Sequence, residues 1–186
     1  MAEIRPFRAL RPIPELICKI AELPYDVMNQ KEARDMLRQN PLSFLQVTRS
    51  DAALPESIAE DDPQAYEKAR ENLETYISRG EMIQDSTPCY YIYRQQMGPY
   101  IQIGLVAVAS LKEYEDKVIR KHELTREKKE RDRVQHILAT KAQTDLFFLL
   151  TRAKDSFLLS CWTIWETIRR PMTLPEKMKF VIPCMS

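Results

Sequence analysis

Cys89-Tyr90-Tyr91-Ile92-Tyr93-Arg94-Gln95, then Gly98-Pro99, then the run from Tyr100 to Leu111, is the stretch on which the fold turns. Tyrosine, isoleucine and valine dominate both runs and suit a half-buried pleated surface. The Gly-Pro pair between them is turn chemistry, so the stretch predicts a β-hairpin. Outward from it the apolar spacing becomes helical. Upstream, Asp62-Pro63 places an oxygen-bearing cap before a proline. Tyr66, Ala69, Leu73, Tyr76 and Ile77 then form one stripe, and Gly80 follows where a helix stops; a helix from Pro63 to about Arg79 is predicted. Downstream, the charge run Arg120–Arg133 leads into Val134, Ile137 and Leu138. That pattern predicts a helix from Thr125 to Lys141, with Thr125 as its cap. The fold class is therefore α+β. A mixed sheet is expected to include Phe44 and the two hairpin strands, covered by the two helices.

The rest of the chain reads more weakly. The opening, Ile4 to Pro12, is extended because two prolines remove amide donors. Leu16, Ile17, Ile20 and Leu23 recur at helical spacing behind Pro14. Asn29 caps a short helix over Lys31–Leu37, which ends before Asn40-Pro41. Leu23-Pro24-Tyr25-Asp26-Val27 reads as a turn, Ser43–Val47 as a strand, and Arg49–Asp62 as a polar loop without periodicity.

Composition narrows the function classes. The 28 basic and 27 acidic residues leave a net charge of +1, which gives no electrostatic case for a nucleic-acid backbone or an anionic membrane. No stretch reaches the roughly 18 apolar residues of a membrane span. No apolar run follows the N-terminal arginines, so a secretory signal is not expected. Cys18, Cys89, Cys161 and Cys184 lack metal-ligand spacing, so reduced thiols, a cytoplasmic setting and no structural metal are expected. Glycine occurs only at 80, 98 and 104, so neither a GxxxxGK[ST] loop nor a GxGxxG turn exists; any phosphate would have to be held by side-chain cations.

Such cations cluster in Lys121-His122-Glu123-Leu124-Thr125-Arg126, Lys129-Glu130 and Asp132-Arg133. On a helix, Lys129, Asp132, Arg133 and His136 share one face, and a helix N-terminus carrying cations favours anions. The plain reading of mixed charge is a solvated face with weak i,i+4 pairs. The HExxH zinc pattern is absent, because Arg126 stands where its second histidine would be. Tyr90, Tyr91, Tyr93 and Tyr100 read as sheet packing rather than a base-stacking platform.

Read together, several segments resemble the bacterial and archaeal domain-of-unknown-function family 1015, whose members are often labelled SpoOJ/ParA/ParB/repB family proteins. They are Pro6–Pro12, Leu23–Val27, Asn40–Leu45, Tyr91–Gln95, Gly104–Val106 and Lys121–Arg133. The family pattern His-Glu-x-Thr-Arg, then Lys-Glu-x-Asp-Arg, is filled by His122, Glu123, Thr125, Arg126, Lys129, Glu130, Asp132 and Arg133. The resemblance implies a ParB-like fold similar to free-serine kinases, and phosphoryl transfer to a small hydroxyl compound. On that implication Arg126, Lys129 and Arg133 bind phosphate and Glu123 accepts the hydroxyl proton. Asp132 orients the cations or holds Mg²⁺ with a nucleotide or other phosphoryl donor, and His122, Thr125 and Glu130 support the site. The alternatives are a DNA-partitioning or regulatory binding protein and an interaction module without chemistry. Oligomeric state is left open, and no membrane partner is expected.

The resemblance ends near Thr144, which predicts a family part over residues 1–144 and a non-family, poorly packed tail over 145–186. Family members are about twice this length and carry a later Asp-Gly-His-His-Arg segment that this chain lacks, so this chain is expected to be inactive on its own. Moved back one nucleotide, Asp145–Leu150 can encode Gly-Pro-Ile-Phe-Leu and Lys177–Ser186 can encode a second family-like run. A frameshift near codon 144 is the expected cause, with a membrane-touching segment over Phe157–Ile168 as the rival.

Overall fold

The computed structural model of the protein describes residues 2–22, 24–120, 125–147, 149 and 178–181. The chain forms two compact units. One comprises residues 1–11, 84–122 and 148–186; the other comprises 12–83 and 123–147.

The first unit holds the hairpin. Strands β4 (Tyr90–Met97) and β5 (Tyr100–Val106) pair antiparallel from Tyr91↔Val106 to Met97↔Tyr100. Gly98 takes φ 57° at the first position of the two-residue loop, as a tight hairpin turn requires. On its other edge β4 pairs in parallel with β7 (Met178–Val181), so this sheet is mixed. Strand β1 (Ile4–Arg5) pairs antiparallel with β6 (Val108–Ala109), and Phe7 bridges Cys89. Leu111, expected to end the second hairpin strand, instead opens the short helix α5 (Leu111–Glu115), because Ser110 caps it by accepting from the Glu113 amide.

The second unit is helical, with α1 (Ile17–Ile20), α2 (Gln30–Gln39), α3 (Leu45–Thr48), α4 (Pro63–Ser78) and α6 (Glu127–Thr140). The chain crosses between units within β2 (Leu10–Pro12) and within β3 (Met82–Gln84). Helix α2 opens on a complete capping box, Asn29 accepting from the Glu32 amide and Glu32 from the Asn29 amide. Helix α4 starts on Asp62, whose Oδ1 accepts from the Gln64 amide. It closes with Gly80 at φ 67°, the Glu81 amide donating to Tyr76 and the Gly80 amide to Ile77. Ala65, Ala69, Leu73 and Tyr76 give α4 its buried stripe, while Ile77, placed in that stripe by the sequence, is exposed.

Two expectations are corrected. Ser43–Val47 is not a strand and Phe44 is not in a sheet: the segment turns into α3, whose Leu45 and Val47 are fully buried. Leu45 joins Ala33, Leu37 and Ala52 in one apolar cluster, and that packing overrides the β preference of Phe-Leu-Gln-Val. Cys18 is disulfide-bonded rather than reduced, a pairing that sequence spacing cannot disclose; Cys89 is a free, buried thiol.

Candidate functional site

Helices α4 and α6 pack together in the second unit and place the polar groups of interest. Asp132 and Arg133 are adjacent on α6 and turn inward. Asp132 Oδ1 accepts from the Tyr66 hydroxyl of α4 at 2.8 Å. Its Oδ2 accepts from Arg133 Nε and Nη2 at 3.0 and 2.7 Å. The other arm of the guanidinium donates to Asp145 Oδ2 at 3.2 Å, and its face lies 4.4 Å from the centre of the Tyr25 ring. One arginine thus ties together three segments distant in sequence.

Burial and charge explain the electrostatics. Burial pushes the Tyr66 hydroxyl well above its ordinary range, and the Asp132 carboxylate adds to that. Burial raises Tyr25 too, with Arg133 opposing. Arg133 loses water, which alone would lower it, yet its bond to Asp132 keeps it firmly charged. His136, one turn further along α6, is buried with Nε2 2.9 Å from the Val47 carbonyl. A carbonyl only accepts, so Nε2 carries the proton; burial holds the ring neutral by lowering its pKa.

An open cavity of about 930 Å³ lies between the start of α4 and α6, with Tyr66 and Asp132 on its wall. Its cations are committed: Lys128 pairs with Asp61 at 3.0 Å, and Arg131 with Glu127 in the same helix. Both lysine and aspartate are exposed, so this pair is a weak constraint.

The residues singled out in the sequence divide three ways. Asp132 and Arg133 meet in the network above. Thr125, Arg126, Lys129 and Glu130 are exposed at the start of α6, and Arg126 and Lys129 make no described side-chain bond. Thr125 does not cap α6; Arg126 occupies the cap position, and among the described residues no side chain bonds the first-turn amides. Its basic side chain offers no oxygen for that purpose. His122 and Glu123 lie outside the described residues, as does Phe157–Ile168. Sequence reading puts Tyr25 in a turn and Tyr66 in an apolar stripe, and gives Asp145 no role in a site. Only the position of Tyr25 within Leu23–Val27, one of the family-like segments, hinted at its role.

Mg²⁺ does not fit Asp132 as it stands. Both carboxylate oxygens are occupied by donors, and a guanidinium already neutralises them. Among the described residues no three of His, Cys, Asp or Glu gather as a metal site. No helix among them is long and apolar enough to cross a membrane.

Fold and site together define an α+β protein with a polar network at a helix–helix cavity. The chain belongs to the family described as "Protein of unknown function (DUF1015)", whose sequence model matches residues 4–173. That match continues past Thr144, where the sequence places the end of the resemblance. No curated protein and no solved structure matches the chain.

Proposed function

We propose that the α4–α6 cavity and the first turn of α6 bind a small phosphorylated compound, and that the family's chemistry is phosphoryl transfer to a small hydroxyl acceptor. The observation that carries this reading is the Tyr66–Asp132–Arg133 array: a carboxylate oriented by a phenol and a guanidinium on a cavity wall. It lies about a turn and a half from a helix start where, among the described residues, no side chain caps the amides. Arg126 and Lys129, exposed at the start of α6, then serve as the anion-facing cations, since among the described residues neither has a side-chain partner. Arg133 acts differently from a phosphate ligand. Its donors are committed to Asp132 and Asp145, so it positions Asp132. Glu123 remains the proposed acceptor of the hydroxyl proton. No step is routed through Mg²⁺.

A ParB-like DNA-partitioning role has less support, because α6 pairs Arg131 internally and net charge is +1. For this chain the proposal is confined to binding.

The test is a thermal-shift series on the full chain with pyrophosphate, adenine nucleotides and phosphoserine. A ligand at about 100 times its Kd adds about 2.7 kcal/mol, a rise of several degrees. The rise should vanish in Arg126→Ala/Lys129→Ala. No shift with any of these anions removes the proposal.

A further inference from the structure

Strand β5 (Tyr100–Val106) bonds to β4 on one side, and among the described residues no strand lies on its other edge. The two-residue loop makes Met97 and Tyr100 a hydrogen-bonded pair, and bonding alternates along an antiparallel ladder. Tyr100, Gln102, Gly104 and Val106 therefore turn their backbone groups to β4, while Ile101, Ile103 and Leu105 turn theirs to the open edge. Nothing within the strand guards that edge, for Tyr100–Val106 contains neither a charged residue nor a proline. Tyr100, Ile101, Gln102 and Gly104 are exposed, the Tyr100 ring at 75%.

Gly104 adds an independent observation. Its φ is not positive, and a Cβ there would meet no atom within 4 Å. Neither the backbone conformation nor the packing of the chain calls for glycine, which weakens a strand interior. A glycine so placed leaves room for a backbone that approaches from outside.

We propose that β5 is the interface of a symmetric dimer, in which the β5 edges of two copies pair antiparallel into one continuous sheet. The occupant is a second copy because the strand is its own complement. With the twofold axis at Ile103, Ile101 lies opposite Leu105 of the other copy, Ile103 opposite Ile103, and Leu105 opposite Ile101. Each of these pairs exchanges both of its hydrogen bonds, so no edge-facing group between Ile101 and Leu105 is left over. A slip of one residue sets them against positions whose groups already turn to β4, and a slip of two loses a pair. Gly104 then stands opposite Gln102, at a non-hydrogen-bonded pair where the strands come closest. Its missing side chain makes room there for Gln102 and, diagonally, for Tyr100. The net charge of +1 sets little repulsion between copies.

Sedimentation velocity of the full chain over a dilution series should show a monomer–dimer equilibrium. A monomer throughout, or species larger than a dimer, overturns the proposal. Ile103→Lys sets like charges against each other on the axis and should weaken the dimer by roughly tenfold or more, with the circular dichroism spectrum unchanged. If that variant misfolds, Ile101→Lys, at a position 41% exposed, takes its place. A folded variant that dimerises like the parent overturns the proposal. Amides 101, 103 and 105 should gain severalfold protection from hydrogen exchange as the dimer fills, while 102, 104 and 106 stay protected at every concentration. Protection of the first set that does not vary with concentration overturns the interface. None of these measurements uses an anion, so their failure leaves the cavity reading untouched.

Discussion

Each unit contains a cluster of arginine, aspartate and tyrosine, and the two are built to different ends. In the first, Asp85 accepts from Arg11 Nε and Nη2 at 3.0–3.1 Å and from the Tyr91 hydroxyl at 2.8 Å. Tyr91 in turn takes the Ala9 amide at 2.9 Å and packs on Phe7. The Asp85 side chain is 2% exposed, and no described cavity reaches it. In the second, Asp132 and Arg133 are 12% and 19% exposed, and Asp132 borders a cavity. The same side-chain chemistry therefore reads as a staple where its carboxylate is enclosed, and as a candidate site where its carboxylate borders a cavity.

Substitutions can break that contrast. The largest effect is expected for Asp85→Ala, which takes the carboxylate from the Arg11 guanidinium and leaves the Tyr91 hydroxyl only the Phe7 carbonyl as acceptor. Removing one partner of a buried pair costs about 3–5 kcal/mol, measurable by urea unfolding. Asp132→Ala should cost about 1.5–3 kcal/mol, because water can reach the orphaned groups, and should abolish any anion-induced Tm shift. An equal loss at both positions would erase the distinction between the clusters. Asn29→Ala, remote from both, should cost about 1 kcal/mol through loss of the capping box. Burial lowers His136, so its stabilising contribution is present above its ordinary 6.5 and is lost as pH falls below that value. His136→Gln should flatten this acid limb in Tm-versus-pH curves. The smallest effect belongs to Lys128→Ala: its pair with Asp61 lies in solvent, and Tm should not move.

The local grammar of the chain was readable. Asp62-Pro63 and Gly80 bounded α4, Asn29 opened α2, and Gly98-Pro99 turned the hairpin, because each feature is set by neighbours within a few residues. Phe-Leu-Gln-Val misled because its conformation is decided by Ala33, Leu37 and Ala52, which it packs against. The site was half legible for the same reason. Asp132 and Arg133 stood out within their charge run, whereas Tyr66 and Asp145 became visible only when folding brought residues 66, 132 and 145 together. The Arg49–Asp51 ion pair is a similar case. It sat in a segment that read as polar loop, yet Arg49 is buried and also donates to the Met28 carbonyl at 2.8 Å.

The discontinuity of the first unit bears on how the protein is made. Ile4 pairs with Ala109, and Phe7 bridges Cys89. At roughly 5–20 residues per second, the leading strand leaves the ribosome roughly 5–20 s before its partner exists. The part of the helical unit between them, residues 12–83, can settle first, since an apolar cluster comes from residues 33–52. Until then the Pro6 and Pro12 positions guard the nascent strand, for a proline cannot donate to a stray edge.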